Sequence, residues 1–273
     1  MLCCVAGANA ADDEPAPPEA PPQAPAAAAS APATQWEGAI GPVLSLSPEY
    51  QGAARRKVSA MPGFYLRYGR LSISNASGFV NRRKDDVLRG LGLDVLQQKR
   101  LRVNLGLRVD AGRRSSDSAT LAGISNVRRT LRLRASTTWQ IDDHWKLGAG
   151  WTTDLLGRGG GQLVDLGLGH DLRLSERTTW NVGGGLNWAS GRYMQSYYGV
   201  TAAESVASGY PAYAPGAGLR DASLGTSWRM EINPRWTGFW GGSVGRLLGP
   251  AAASPLTKST RQWSLNGALA WRF

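Results

Sequence analysis

Beyond residue 4 the chain has no cysteine, and His144 and His170 are its only histidines. Once Cys3 and Cys4 are set aside, nothing remains from which to build a disulfide framework or a thiolate metal site. No window offers eighteen consecutive apolar residues, which excludes a membrane-spanning helix. Residues 12–35 contain neither an aromatic nor a basic side chain and are dominated by Ala and Pro. Such a stretch cannot bury enough apolar area to offset the entropy of ordering it.

The first ten residues read Met-Leu-Cys-Cys-Val-Ala-Gly-Ala-Asn-Ala, with Ala8 and Ala10 forming a small-x-small pattern ahead of Asp12, Asp13 and Glu14. Residues 1–10 are therefore expected to be the end of a secretory signal. Residues 11–35 would be a disordered periplasmic leader, and residues 36–273 the folded part. Cleavage after Ala10 would remove both cysteines. The four acids Asp12, Asp13, Glu14 and Glu19 lie in the leader, leaving residues 36–273 with 16 acidic side chains against 31 basic ones, a net +15. Nucleic acid is the usual partner of such charge, but the arginines alternate with apolar residues along strands instead of forming a patch. No nucleic-acid partner is expected.

What the chain has in quantity is glycine, tryptophan and period-two alternation. A strand sends successive side chains to opposite faces. Twelve segments fit that period: 36–47, 61–69, 70–79, 86–96, 99–110, 128–140, 144–155, 162–174, 178–189, 218–231, 236–247 and 260–273. In 128–140, Leu131, Leu133, Ala135, Thr137 and Trp139 alternate with Arg132, Arg134, Ser136 and Thr138. The last segment sets Trp263, Leu265, Gly267, Leu269, Trp271 and Phe273 against a small or polar face. Its Asn266, Trp271 and Phe273 fit the terminal signal read by the barrel-assembly machinery of the bacterial outer membrane. The third and eleventh segments are weak, the latter because Phe239 and Trp240 leave its faces ambiguous.

Connections after even-numbered segments are short, and those after odd-numbered ones are longer: 48–60, 80–85, 111–127, 156–161, 190–217 and 248–259. That parity is expected of an all-β, antiparallel, up-and-down transmembrane barrel with short periplasmic turns and longer external loops. An even strand count places both termini on the periplasmic side of the outer membrane. Trp36, Trp139, Trp145, Trp180, Trp228, Trp236 and Trp271 fall near the short-turn ends of strands. Trp151, Trp188 and Trp263 fall near the long-loop ends, giving two aromatic belts. An arginine facing lipid at mid-membrane costs about 2–4 kcal/mol, so Arg132 and Arg134 face the lumen and Leu131 and Leu133 face out.

Expected lumen bases are Arg67, Arg100, Arg102, Arg108, Arg132, Arg134, Lys146, Arg173 and Arg229. Expected lumen acids are Asp94, Asp110, Asp154, Asp165, Asp171, Asp221 and Glu231. Both an ion-paired, braced wall and a thin anion-preferring channel fit this inventory. Loop clusters at Arg55, Arg56 and Lys57, at Arg82, Arg83 and Lys84, and at Arg113, Arg114, Arg128 and Arg129 are matched to lipopolysaccharide phosphates; ordinary solvated loop charge is the competing reading. Catalysis has little to work with. His144 lies beside a periplasmic turn and His170 is on the lipid face, and neither sits with a Ser and a carboxylate at the external rim, where a barrel hydrolase would work. The runs Gly157–Gly161 and Gly183–Gly185 lead into no helix and are not phosphate loops. No metal or cofactor is expected.

With the barrel reached, YYGVTAAESVASGYPAYAPGAGLRDASLG at 197–225, GRLLGPAAASPLT at 245–257, PEYQGA at 48–53 and the closing WRF resemble the MipA/OmpV family of outer-membrane proteins over about residues 36–273. The resemblance implies a non-enzymatic barrel. Its best-described member scaffolds murein synthesis, joining a lytic murein transglycosylase to a murein polymerase. Other members are linked to antigenicity, adhesion or antibiotic response. A narrow pore or a solute- or antibiotic-binding barrel is the alternative.

Overall fold

A computed structural model describes residues 36–75 and 90–273. The signal segment and leader at 1–35, and the cluster at Arg82, Arg83 and Lys84, lie outside the described residues. The strands are β1 (Trp36–Pro48), β2 (Arg56–Tyr68), β3 (Leu71–Ser74), β4 (Gly90–Gln97), β5 (Leu101–Asp110) and β6 (Thr130–Gln140), followed by β7 (Trp145–Asp154), β8 (Gln162–Arg173), β9 (Thr178–Ala189), β10 (Gly218–Glu231), β11 (Trp236–Leu247) and β12 (Arg261–Arg272). Each pairs antiparallel with its neighbours in the chain, and β12 returns to β1, so the sheet closes on itself. This is the up-and-down barrel that the period-two segments predict.

Closure follows from the solvent. A hydrocarbon layer offers backbone amides no hydrogen bonds, so a spanning sheet has to satisfy them all internally and cannot leave an edge. The side chains are sorted accordingly and, for a water-soluble protein, inside out. Leu166, Leu224 and Leu265 are 55%, 63% and 52% exposed on the outer face, while Arg132 is 1% exposed within. Trp180 and Trp228 stack across β9 and β10 with ring centroids 5.7 Å apart. At the seam, Phe273 and Gly38 exchange backbone hydrogen bonds of 3.0 and 3.1 Å. A methyl group on Gly41 would meet the Leu269 carbonyl oxygen at 1.8 Å, so the β1–β12 seam requires a glycine there.

Two strands depart most from the sequence reading. Pairing of β1 with β2 runs out to Pro48 opposite Arg56, so β2 begins five residues earlier than its apolar pattern suggests. Ser59 and the flanking charges dilute that pattern. β3 spans four residues, and 76–79 of the expected third segment, like 86–89 of the fourth, lie outside the described residues. Asn75 follows β3, accepting from the Phe64 amide and donating to the Pro62 carbonyl, both at 2.8 Å. Its side chain thus continues the pairing that a longer strand would supply. The ambiguity in β11 resolves with Phe239 inside, packed against Tyr65 and Ala39, and Trp240 outside.

The register gives a direct test. Leu166→Arg, on the outer face, should lower unfolding free energy in phospholipid vesicles by about 2–4 kcal/mol. Ser227→Arg, on the inner face, should change it by less than about 1 kcal/mol. Urea titration followed by tryptophan fluorescence measures both.

Candidate functional site

The inner wall carries charge in pairs. Arg67 on β2 reaches Asp94 on β4 at 2.6 Å, and Lys146 on β7 reaches Asp171 on β8 at 3.2 Å. Arg229 and Glu231, both on β10, lie 3.5 Å apart. Nearer the long loops, Arg132 Nε donates to Asp110 at 2.5 Å, and Arg134 donates to both oxygens of Asp165 at 2.5 and 2.8 Å. Apart from Arg229–Glu231, these pairs join adjacent or next-but-one strands, so they staple the wall along its circumference. Half-buried and bidentate, the Arg134–Asp165 pair is the geometry in which guanidinium and carboxylate bind best.

Glycine makes that reach available. Arg134 is on β6 and Asp165 on β8, with Gly150 of β7 between them. A side chain on Gly150 would lie 2.3 Å from the Arg134 guanidinium. The small wall residues Gly148, Gly167, Gly183, Gly225, Ser227 and Ser243 likewise leave a mid-lumen cavity of about 440 Å³.

The long loops are not loose. The β9–β10 connection folds into α1 (Gly191–Tyr198) and α2 (Ala202–Ser208), capped by Ser190 and Thr201. Thr201 and Glu204 form a reciprocal capping box. The β11–β12 connection adds α3 (Gly249–Ala252). Tyr193, Met194 and Tyr198 of α1 are buried with Ala189, Leu247 and Ala251. Polar ties run between all four described long loops that meet here. Tyr193 and Tyr198 hydroxyls donate to Gln51 Oε1 at 3.3 and 3.0 Å. Arg113 Nη1 donates to the Tyr197 carbonyl at 2.6 Å, Tyr210 to the Thr120 carbonyl at 3.2 Å, and Tyr213 to the Pro250 carbonyl at 2.9 Å. The result is a cap welded from the loops after β1, β5, β9 and β11.

Beneath the cap lies a chamber of about 540 Å³. Arg108, Arg132, Arg134 and Asp165 line it from the wall, and Arg113, Tyr193 and Tyr197 from the loops. A bulge in β10 between Leu219 and Asp221 adds Arg220, bulges being the usual device for re-aiming a side chain. Burial, and then the Asp110 carboxylate, push the Tyr197 hydroxyl up to about 12. Tyr197 is therefore a neutral donor at any physiological pH. Burial likewise lowers the Arg113 guanidinium from its ordinary value.

Of the sequence-predicted lumen residues, Arg102, Asp110, Arg132, Arg134 and Asp165 are on inward-facing positions of β5, β6 and β8. Arg100 is not. It precedes β5, exposed in the turn after β4, because the turn takes the two residues that periodicity assigned to the strand. Arg113 is a second correction. Its side chain is buried and ties the cap together, so it is not a free lipopolysaccharide contact. Arg56 sits on β2 with its guanidinium 3.8 Å from the Trp263 ring centroid. Asn266 faces inward opposite Ser45, whereas Trp271 and Phe273 face out with rings 5.3 Å apart. His170 faces outward, 4.4 Å from the Trp145 ring, and His144 Nδ1 lies 3.1 Å from the Asp171 carbonyl oxygen. Among the described residues no hydroxyl bonds either imidazole, and no three metal-ligating side chains cluster. The sequence reading missed the cap. Its one legible signal was Thr201-Ala-Ala-Glu204, the spacing of a capping box.

A closed, even-stranded, up-and-down barrel with an apolar exterior, aromatic strand ends and an ion-paired interior defines a transmembrane β-barrel of the outer-membrane type. Within that class the chain belongs to the MipA family: residues 40–273 match the family described as "MltA-interacting protein MipA". No curated protein matches it. Solved structures similar to it include the KdgM porin, 7% identical over 88% of this chain and 99% of that one, with a TM-score of 0.37. A loop-deleted OmpT of Vibrio cholerae is 5% identical over 88% and 99%, with a TM-score of 0.39. A bacterial polysaccharide outer-membrane secretin is 10% identical over 88% and 98%, with a TM-score of 0.41.

Two measurements probe this site. Gly150→Val should displace Arg134 from Asp165 and cost about 1–3 kcal/mol of stability, the penalty of leaving a half-buried ion without its partner, read by urea unfolding. The second uses pH. Burial alone would raise the Glu204 carboxyl, but hydrogen bonds from Thr201 and Ser125 outweigh it and hold the group below its ordinary 4.5. A depressed carboxyl contributes stability in full above its unfolded value and loses it as pH falls through the folded one. Amide protection across residues 201–209, taken relative to the intrinsic exchange rate at each pH, should therefore be high at neutral pH and fall as pH drops below 4.5. Glu204→Gln should show the reduced protection already at neutral pH.

Proposed function

We propose that the protein is a non-enzymatic interaction protein of the outer membrane, a scaffold that holds murein-building and murein-cleaving enzymes at the envelope. The family match over residues 40–273 carries this reading, and the partners it implies are a lytic murein transglycosylase and a murein polymerase. The geometry supports it in one respect. The loops after β1, β5, β9 and β11 spend polar groups and aromatic rings on one another, which favours the short-turn rim as the face on offer. That rim has a groove of about 590 Å³ lined by Arg177, Glu231, Asn233, Pro234, Arg272 and Phe273. In this reading the short turns and both termini are periplasmic. The barrel-assembly machinery then reads Asn266, Trp271 and Phe273.

At the opposite end, Arg246 and Arg261 are direct cross-strand neighbours on the outer face. Among the described residues no acid is ion-paired with either, and like charges so placed repel. With Arg56 over Trp263 nearby, they suit the phosphates of lipopolysaccharide, whose lipid forms the outer leaflet. A second reading, a barrel that binds a solute or antibiotic in a narrow lumen, is favoured by the chamber under the cap.

Cross-linking in native envelopes tests the scaffold. The expected adducts are a murein transglycosylase or synthase, lost when turns 174–177 and 232–235 are replaced by Gly-Ser sequence. Conductance steps in planar bilayers that change with Arg134→Gln, together with no murein enzyme among the adducts, would overturn it in favour of a pore.

A further inference from the structure

Among the described residues, seven cationic side chains line the chamber beneath the cap against four carboxylates, and one of the seven, Arg220, pairs with Asp221 next to it. All four carboxylates are already engaged. Asp110 and Asp165 pair with Arg132 and Arg134, Glu49 lies 3.5 Å from Arg55, and Asp117 accepts from the Arg114 amide at 2.8 Å. Arg108 and Arg132 are directly opposite one another in the β5–β6 register, both facing in.

Two buried guanidinium groups in this chamber also have donors with no acceptor among the described residues. Arg132, 1% exposed, has Nη1 without a hydrogen-bond partner, and Arg113, 5% exposed, has Nε without one. Buried polar donors are nearly always paired, and these two belong to different elements that converge on one cavity. Arg132 and Arg220 each hold a guanidinium carbon 5.5 Å from the centroid of the Tyr193 ring. That ring and neutral Tyr197 supply a flat apolar wall and a hydroxyl donor beside the cations. At about 540 Å³ the chamber is of the size that holds a small organic ligand, about 300–1,000 Å³.

We infer that this chamber is a binding site for a small polyanionic solute, one bearing two or more carboxylates or a phosphate. Arg108, Arg113 and Arg132 hold the charge, and Tyr193 packs against the carbon skeleton. The inference names the ligand class of the solute-binding reading and rests on it, not on the scaffold. Cross-linking to murein enzymes can therefore succeed or fail without bearing on it.

The test is calorimetric titration of the purified full chain in detergent, with citrate, inorganic phosphate and glucose, sodium chloride being adjusted to keep ionic strength constant. Citrate is expected to bind one per barrel, phosphate more weakly and glucose not at all. The double variant Arg132→Gln/Asp110→Asn removes the cation without stranding its carboxylate, and should weaken citrate binding at least tenfold. Lys146→Gln, in the mid-lumen pair, should leave it unchanged. Should the double variant fail to give the heat-modifiable band of a folded barrel, Arg114→Ser at the chamber's exposed edge should weaken citrate binding at least threefold. No saturable citrate binding, or equal affinity in the folded double variant and the parent, would show that water alone satisfies these donors and would overturn the inference.

Discussion

Every part of this molecule answers to the absence of water around its middle. Where the surroundings cannot hydrogen-bond, the backbone must pair entirely with itself, and a sheet can do so only by closing into a ring. Once closed, the ring has an outside that is oil and an inside that is not. The period of the strand then becomes the whole rule for placing side chains. Leucines that would form the core of a soluble domain are the exposed residues here, and arginine is among the most buried.

That inversion creates a second problem, and glycine solves it. An interior lined with arginine needs carboxylates within reach, but neighbouring strands set side chains in fixed rows. Where the row between two partners is a glycine, a guanidinium can cross it and meet an acid two strands away, as Arg134 does over Gly150. Wall charge and wall glycine are therefore one design element: the glycines open lanes, and the ion pairs run along them. Because the pairs follow the circumference, they stiffen the cylinder without filling it. Space is left both at mid-lumen and under the cap.

The barrel was legible in the sequence because its signals are local. Alternation, turn length and tryptophan at strand ends are each read within a dozen residues, and they located the strands to within a few residues of their bounds, apart from the early start of β2 and the short β3. Where reading failed, the deciding contact was remote. Arg100 belongs to a turn because of where β4 ends, and β2 starts early because β1 is still there to pair with. Arg113 is buried because Tyr197, far along the chain, accepts its hydrogen bond. The chamber was beyond reach for the same reason, since its residues come from strands and from loops that only the folded cap brings together. The inward arginines were foreseen, but not which of them keep an unmatched donor.

Loops that leave a barrel are ordinarily the part of such a protein that diverges most freely, since little depends on them. Here Gln51 answers to Tyr193 and Tyr198, Thr120 to Tyr210, and Pro250 to Tyr213, so a change in the β9–β10 connection is felt in the three others. Lengthening or repacking that connection is therefore constrained by the three segments bonded to it. The surface that this chain can vary cheaply is thus much smaller than the length of its loops implies.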